Sequence, residues 1–327
     1  MAPKQLDIVL DLSAQRESEF FDEHLRDRLR AVGQVRRVER SEDRCVADVV
    51  ITGWESQRLP DRRTEGGTLG LVAHTGGTVR FLVPKSLIED GVQVTQTAAA
   101  MAPSVAELCL MQTISLLRGF HLVTTHMTDS RDWAAAIAVP TGDSVVGTRI
   151  GVVGASRVGR IYIAYLRALG AEVLVHDPYL SAADAEALGV CAAPLDDLFA
   201  TCRLVALHAP VTDETRGMVD ARRLALIPDG GALINTARAA LVDSAALVNE
   251  LRSGRISAAL DVFDEEPLPL DDPLWGLSNV LLTPHRGAIT RQAQLAMGAM
   301  VVDEIERFAR GDQLVSVVTA DRYDTMA

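Results

Sequence analysis

Positive charge is in deficit along this chain. Lysine and arginine number 32 against 44 aspartates and glutamates, a formal net charge of -12 with an isoelectric point near 5.1. Nucleic acid and anionic membrane surfaces both call for a cationic footprint, so neither is expected as a partner. An anionic substrate would need locally placed arginines. Cysteine is sparse as well: Cys45, Cys109, Cys191 and Cys202 show neither the C-x-x-C spacing of a metal site nor a disulfide framework, and they read as ordinary thiols of a reducing compartment. No metal is expected. Aromatic residues make up only 4%. No span approaches the roughly 20 apolar residues of a membrane helix. The first apolar run is short and broken by Asp7 and Asp11, unlike a secretory leader. A cytoplasmic protein is expected.

What remains is ordinary globular material, 48% hydrophobic and 23% charged. At 327 residues the chain is long for one core, and two domains with a cleft are expected. Short apolar runs at 6–10, 47–51, 69–73 and 92–95 alternate with a helical stretch near 17–32, which reads as a small α/β unit with a parallel sheet. Pro103-Ser104-Val105 is a plausible helix start, and that helix crosses into a second domain. There, a strand within 147–154 and strands at about 172–176, 204–208, 232–235, 258–261 and 280–283 are separated mostly by helical segments, a doubly wound pattern. A helix over 291–311, with Leu295, Met297, Val301, Ile305 and Phe308 as core contacts, returns to the first domain. The expected division is 1–102 with 295–327, and 103–294. The polar tail after Asp321 reads as poorly ordered.

Gly154-Ala155-Ser156-Arg157-Val158-Gly159 follows one of these strands and opens a helix on whose face Val158, Tyr162, Tyr165 and Leu169 are expected. The first glycine permits a tight turn and the last lets helix pack on strand, as in dinucleotide-binding turns. Ser156 stands where such turns usually carry a second glycine, and its hydroxyl could donate to a phosphate. Asp177, at the end of the next strand, can accept hydrogen bonds from an adenosine ribose and would repel a 2'-phosphate, which favours NAD over NADP. The bland alternative is a turn with no ligand.

Three further residues have chemistry to offer. Arg238 can fork onto a carboxylate, His285 can move a proton near neutral pH, and Glu266 can hold the imidazole. Taken singly, each could be a surface or loop residue. All three follow expected strands, where open α/β sheets bind ligands. In the first domain Thr75-Gly76-Gly77-Thr78 follows a strand, and its glycines expose N–H groups that suit a substrate carboxylate; His74 beside it reads as a loop histidine.

The blocks Val146–Gly154, His176-Asp177-Pro178, Leu207–Pro210, Glu214–Gly217, Ile234–Arg238, Leu260–Phe263, Glu266-Pro267 and Thr283-Pro284-His285 resemble, in order, the D-isomer-specific 2-hydroxyacid dehydrogenases. That family includes phosphoglycerate dehydrogenase, glyoxylate reductase and formate dehydrogenase. The resemblance implies a Rossmann-type NAD domain, a smaller flavodoxin-like α/β substrate domain, and a homodimer formed through the cofactor domain. It implies that Arg238 binds substrate, His285 is the acid/base and Glu266 orients it. It implies that Asp261 contacts the nicotinamide carboxamide, that Pro178 flanks the adenine, and that His208, Ala209, Pro210, Thr215, Thr236, Ala237 and Gly287 border the cofactor. Ala239 and Arg286 depart from the pattern, and Arg286 would read a second anion if it lined the cleft. The expected activity is NAD-dependent reduction of a 2-keto acid. An NADH-sensing binding protein on the same fold, or an enzyme for the oxidation of a small anion such as formate or phosphite, stays open. Because the chain ends soon after the return helix, an added regulatory domain is not expected.

Overall fold

The structure is a computed structural model that describes residues 5–40 and 42–323; the end of the polar tail, 324–327, lies outside them. The described chain forms two compact units, one from the residues up to Met101 together with those from Ala288 onward, the other from Ala102 to Gly287. The chain returns to the first unit ahead of residue 295, because Ala293 and Met297 are already part of that unit's core.

The first unit holds a five-stranded sheet of β1 (Leu6–Asp11), β2 (Gly33–Arg37), β3 (Val49–Thr52), β4 (Leu71–His74) and β5 (Gln93–Thr95). Their order is β2-β1-β3-β4-β5 and every pairing is parallel. Alternate residues serve opposite faces, as the strand period requires: Ile8, Leu10, Val49 and Ile51 join one cluster, Val9 and Val50 the other. The continuous apolar runs follow from burial on both faces. Edge strand β2 escapes such a reading because Gln34, Arg36 and Arg37 leave it half exposed. The single helix expected over 17–32 is two, Ala14–Phe20 and Glu23–Val32. Asp22 breaks it, since its carboxylate accepts the Leu25 N–H at 2.9 Å and caps the second helix.

The crossing helix runs Ala98–Leu117, with Pro103 inside it. Gln96 Oε1 accepts the Ala98 N–H at 2.5 Å and the alanines favour helix, so it starts ahead of the proline. By length and composition alone this helix could cross a membrane, contrary to the expectation that no span would; half of its apolar window is buried in the protein. The more polar stretch that follows contains helices Phe120–Thr128 and Trp133–Ala138.

The second unit holds a seven-stranded parallel sheet of β6 (Arg149–Val153), β7 (Glu172–His176), β8 (Cys191–Ala192), β9 (Leu204–Leu207), β10 (Ala232–Asn235), β11 (Ser257–Leu260) and β12 (Val280–Leu282). The order is β12-β11-β10-β9-β6-β7-β8, so the winding reverses between β6 and β9. In such sheets the crevice at the carboxyl ends of those two strands is where ligands bind. Both faces are covered: Val205, Leu207 and Leu233 point into one core, Leu204, Ala206 and Ile234 into the other.

Two helix faces differ from expectation. On Arg157–Ala168 the buried residues are Gly159, Tyr162, Ile163 and Leu166, while Leu169 is 40% exposed. A Cβ at Gly159 would lie 2.1 Å from the Gly154 carbonyl oxygen, so this close approach turns the glycine side inward. On Arg291–Arg310, Met297, Val301 and Ile305 are buried as expected, joined by Ala293, Gly298 and Val302, whereas Leu295 and Phe308 are only partly covered. Gly298 rides against the Phe20 carbonyl, where a Cβ would be 1.8 Å away.

Candidate active site

The glycine turn sits between β6 and the Arg157–Ala168 helix. Gly154 has φ +98°, and a Cβ there would meet the Ala209 nitrogen at 2.7 Å, so only glycine fits against the Ala209 backbone. Ser156 is the helix N-cap: its hydroxyl oxygen accepts the Gly159 N–H at 3.3 Å, which leaves its own O–H free to donate. Arg157 is exposed and Val158 half-buried. Asp177 closes the turn from β7, accepting the Ala155 N–H at 2.7 Å and the Tyr179 N–H at 2.8 Å, with one lone pair per oxygen still available. Pro178 beside it is exposed. A narrow turn, the amino end of a helix and a half-buried carboxylate at the next strand end suit a dinucleotide pyrophosphate and ribose.

Across the crevice, the loop after β9 behaves differently from a simple ligand border. The His208 ring is buried, tilted against Tyr162 with centroids 5.1 Å apart, and its Nε2 lies 3.7 Å from Cys109 Sγ. Burial depresses its pKa to about 4. The ring therefore anchors the loop, and only backbone from this residue can border a ligand. Thr215 donates to the Pro210 carbonyl at 2.6 Å and accepts the Thr212 N–H at 2.8 Å, so its hydroxyl latches the same loop. Ala209 is buried and Pro210 half-buried.

Three consecutive strand ends carry the remaining candidates. After β10, Asn235 folds the chain back on itself: its amide donates to the Arg238 carbonyl at 2.8 Å and its side-chain oxygen accepts the Ala237 N–H at 3.0 Å. Sequence reasoning missed Asn235, although an asparagine at a strand end is a recognisable turn former. Thr236 is buried beside Cys109, its hydroxyl with no hydrogen bond of ordinary geometry among the described residues, and Ala237 is half-buried. The Arg238 guanidinium donates to the Ala237 carbonyl at 2.6 Å and has no carboxylate within 4.0 Å among the described residues. Burial lowers its pKa, offset in part by the negative charge of Glu266. An arginine held this way is short of one anion.

After β11, Glu266 Oε1 accepts the Phe263 N–H at 3.0 Å, and Oε2 lies 2.7 Å from His285 Nδ1. The glutamate is thus fixed at one oxygen and engages the imidazole with the other. After β12, His285 has φ +49°, a left-handed conformation unusual for a residue with a side chain. Asp261 stabilises that turn. It is buried, and its carboxylate accepts the Thr283 hydroxyl at 2.6 Å and the N–H groups of Arg286 and Gly287 at 2.8 Å each. Its oxygens serve the histidine loop, a role the expected carboxamide contact did not include. Thr283 was another residue sequence reasoning missed, and only its position in the fold reveals it. The Arg286 side chain is exposed.

In the first unit, His74 is the last residue of β4 and fully buried, not a loop histidine. The Thr75 hydroxyl donates to the Thr52 carbonyl at 3.0 Å and is not on offer to a ligand. Gly76 is buried over the His74 ring, while Gly77 and Thr78 are partly exposed.

This sheet order, glycine turn and strand-end carboxylate define a dinucleotide-binding protein of the doubly wound class. The chain belongs to the D-isomer specific 2-hydroxyacid dehydrogenase family, whose NAD binding domain matches residues 110–287, and NAD is its cofactor. It is 32% identical over 276 residues to a D-3-phosphoglycerate dehydrogenase of Methanocaldococcus jannaschii, covering 83% of this chain and 52% of that protein. It is 31% identical over 262 residues to a hydroxypyruvate reductase of Thermotoga maritima, covering 79% and 83% respectively. The TT0316 protein of Thermus thermophilus superposes with a TM-score of 0.80 at 26% identity, over 95% of this chain and 99% of that one. The chain spans about half the length, or less, of the phosphoglycerate dehydrogenases it matches.

Proposed function

We propose that this protein is an NAD-dependent oxidoreductase that reduces a 2-keto acid to the D-2-hydroxy acid, with the reverse oxidation available. The observation that carries the reading is Arg238, half-buried without a carboxylate partner among the described residues, on the same sheet edge as the Glu266–His285 pair. When bound, the nicotinamide supplies or accepts the hydride at the substrate carbon. Arg238 forks onto the carboxylate and polarises the keto oxygen as negative charge develops there. His285 donates its Nδ1–H to Glu266, so Nε2 is the atom that delivers a proton to the carbonyl oxygen in reduction and takes it back in oxidation. Glu266 fixes the ring and its tautomer. Asp261 maintains the backbone that presents it. In the Thr75–Thr78 turn the Thr75 N–H is spent on the Thr52 carbonyl at 2.8 Å, so the N–H groups from Gly76 onward are those offered to the substrate carboxylate, and the residues from Gly154 to Gly159 with Asp177 hold the cofactor.

The phosphoglycerate and hydroxypyruvate activities named for the relatives both fall in this substrate class. A homodimer is part of the proposal. Phe120, Trp133, Ile137 and Val146 of the second unit are each more than half exposed, an apolar load that a partner copy would cover. So is a cytoplasmic location, which suits four free thiols. The test is NADH oxidation followed by absorbance with a panel of 2-keto acids. Turnover of at least one is expected. Silence across the panel despite NADH binding would instead support a nucleotide sensor. Sedimentation should give twice the chain mass, and a monomer would refute the dimer.

A further inference from the structure

Beside the Gly76–Gly77 turn lies an aromatic surface that no part of the proposed reaction uses. Strands β3 and β4 are neighbours in register, with Thr52 opposite His74, so the loops that follow them emerge side by side. The loop after β3 carries Trp54, and the segment after Gly77 carries Phe81. Their rings stack with centroids 5.1 Å apart and 6° between planes. Both stand edge-on to the His74 imidazole, each at 5.9 Å and 71°. In a chain with 4% aromatics, this grouping at one strand-end corner is a concentration.

The local packing ties this surface to the turn. His74 Nδ1 meets Thr52 Oγ1 at 3.1 Å, whereas its Nε2 is buried with no hydrogen-bond partner among the described residues. A Cβ at Gly76 would lie 2.4 Å from that Nε2 and 3.0 Å from Trp54 Nε1, so only glycine lets the main chain lie against these rings. Burial holds the His74 pKa at about 4, so the floor is uncharged at neutral pH and offers no attraction to a second anionic group. Trp54 and Phe81 remain 48% and 40% exposed. A flat ring can extend their stack, since offset aromatic pairs gain energy beyond the area they bury.

We infer that Trp54 and Phe81 select the substrate's side chain, and that the preferred substrates are 2-keto acids bearing an aryl group, with the carboxylate on the Gly76–Gly77 amides and the aryl ring against the aromatic pair. The inference rests on the 2-keto acid reading above and adds the identity of the variable group.

The experiment compares kcat/KM of the full chain for phenylpyruvate, pyruvate and hydroxypyruvate, in wild type and in the Trp54→Ala, Trp54→Phe and Phe81→Ala variants. Wild type should prefer phenylpyruvate to pyruvate by about tenfold or more, the scale of a buried aromatic contact. Trp54→Ala and Phe81→Ala should each lower that ratio by about tenfold, mainly through KM, and Trp54→Phe should keep most of it. A wild-type preference for pyruvate or hydroxypyruvate, or a ratio unmoved by both alanine variants, overturns the inference. Phenyllactate quenching of tryptophan fluorescence in the NADH complex separates the two readings. Quenching that weakens in Phe81→Ala, without turnover of any keto acid, would retain the aryl site and sink the reductase. Turnover with no aryl preference would do the reverse. Should Trp54→Ala fail to fold, Trp54→Phe and Phe81→Ala decide the matter alone.

Discussion

Asp261 Oδ2 accepts the Gly287 N–H at 2.8 Å, and a Cβ at residue 287 would stand 3.1 Å from that same oxygen. The end of β11 is thereby stapled to the turn after β12, two residues beyond His285. A side chain at 287 would require the Asp261 carboxylate to give by a few tenths of an ångström.

Removing that staple should be costly. Asp261→Ala leaves three donors around a buried site without their acceptor, each worth about 1–3 kcal/mol if unsatisfied. We expect a lowered Tm and a large loss of kcat, with NADH affinity less affected. Asp261→Asn keeps one carbonyl acceptor and should recover part of the stability. Calorimetry and fluorescence titration with NADH would check both, and a loss confined to NADH affinity would restore the carboxamide role instead.

His285→Ala should reduce kcat by about 10²–10⁴, the usual reach of a general acid/base. Glu266→Gln keeps a hydrogen-bond acceptor for Nδ1 but removes the charge, so its loss should be smaller than that of His285→Ala. NADH binding should change by no more than about threefold in either, because neither residue lies at the glycine turn. Stopped-flow reduction alongside equilibrium titration would distinguish these effects, and equal losses in both measurements would argue against the assigned roles.

Arg238→Lys preserves charge and sacrifices the planar fork, so it is not a conservative change at a site that clamps a carboxylate. Catalytic efficiency should fall by about 10²-fold, equivalent to roughly 3 kcal/mol of lost transition-state binding. The Tm should stay level, since no ion pair to a described carboxylate is broken. A variant with near wild-type kcat/KM would remove Arg238 from the site.

Gly159→Ala forces a Cβ to within 2.1 Å of the Gly154 carbonyl, which is backbone and cannot swing aside. The helix must shift away from the turn. NADH affinity should drop by about tenfold or more, with a lower Tm, as measured by fluorescence titration and thermal melting.

Acid should destabilise both units. His74 and His208 are buried and neutral, with pKa values of about 4 against 6.5 for a free imidazole. Between those values the unfolded chain binds more protons than the folded one, so stability rises with pH through this window and is lost as pH falls from 6.5 toward 4. Each histidine accounts for on the order of 3 kcal/mol across the window. Thermal melting at pH 7 and pH 5 should show the decline, and His208→Gln should flatten the share belonging to the second unit.

Much of this protein was legible in its sequence because it is written in local rules. Apolar runs declared doubly buried strands, Gly154 and Gly159 declared a turn that tolerates no Cβ, and Arg238, Glu266 and His285 each followed a strand. Parallel strands end on one side of their sheet, so those residues share an edge once the strands are assigned. The winding order, the inward turn of Gly159 and the hydrogen bonds that give Asp261, Asn235 and Thr283 their work depend on partners distant in the chain, and only the tertiary structure decided them. The same is true of His208, whose place in a ligand-bordering motif gave no sign that its ring points into the core. Trp54, His74 and Phe81 meet only because β3 and β4 lie side by side, a juxtaposition that spacing along the chain does not encode.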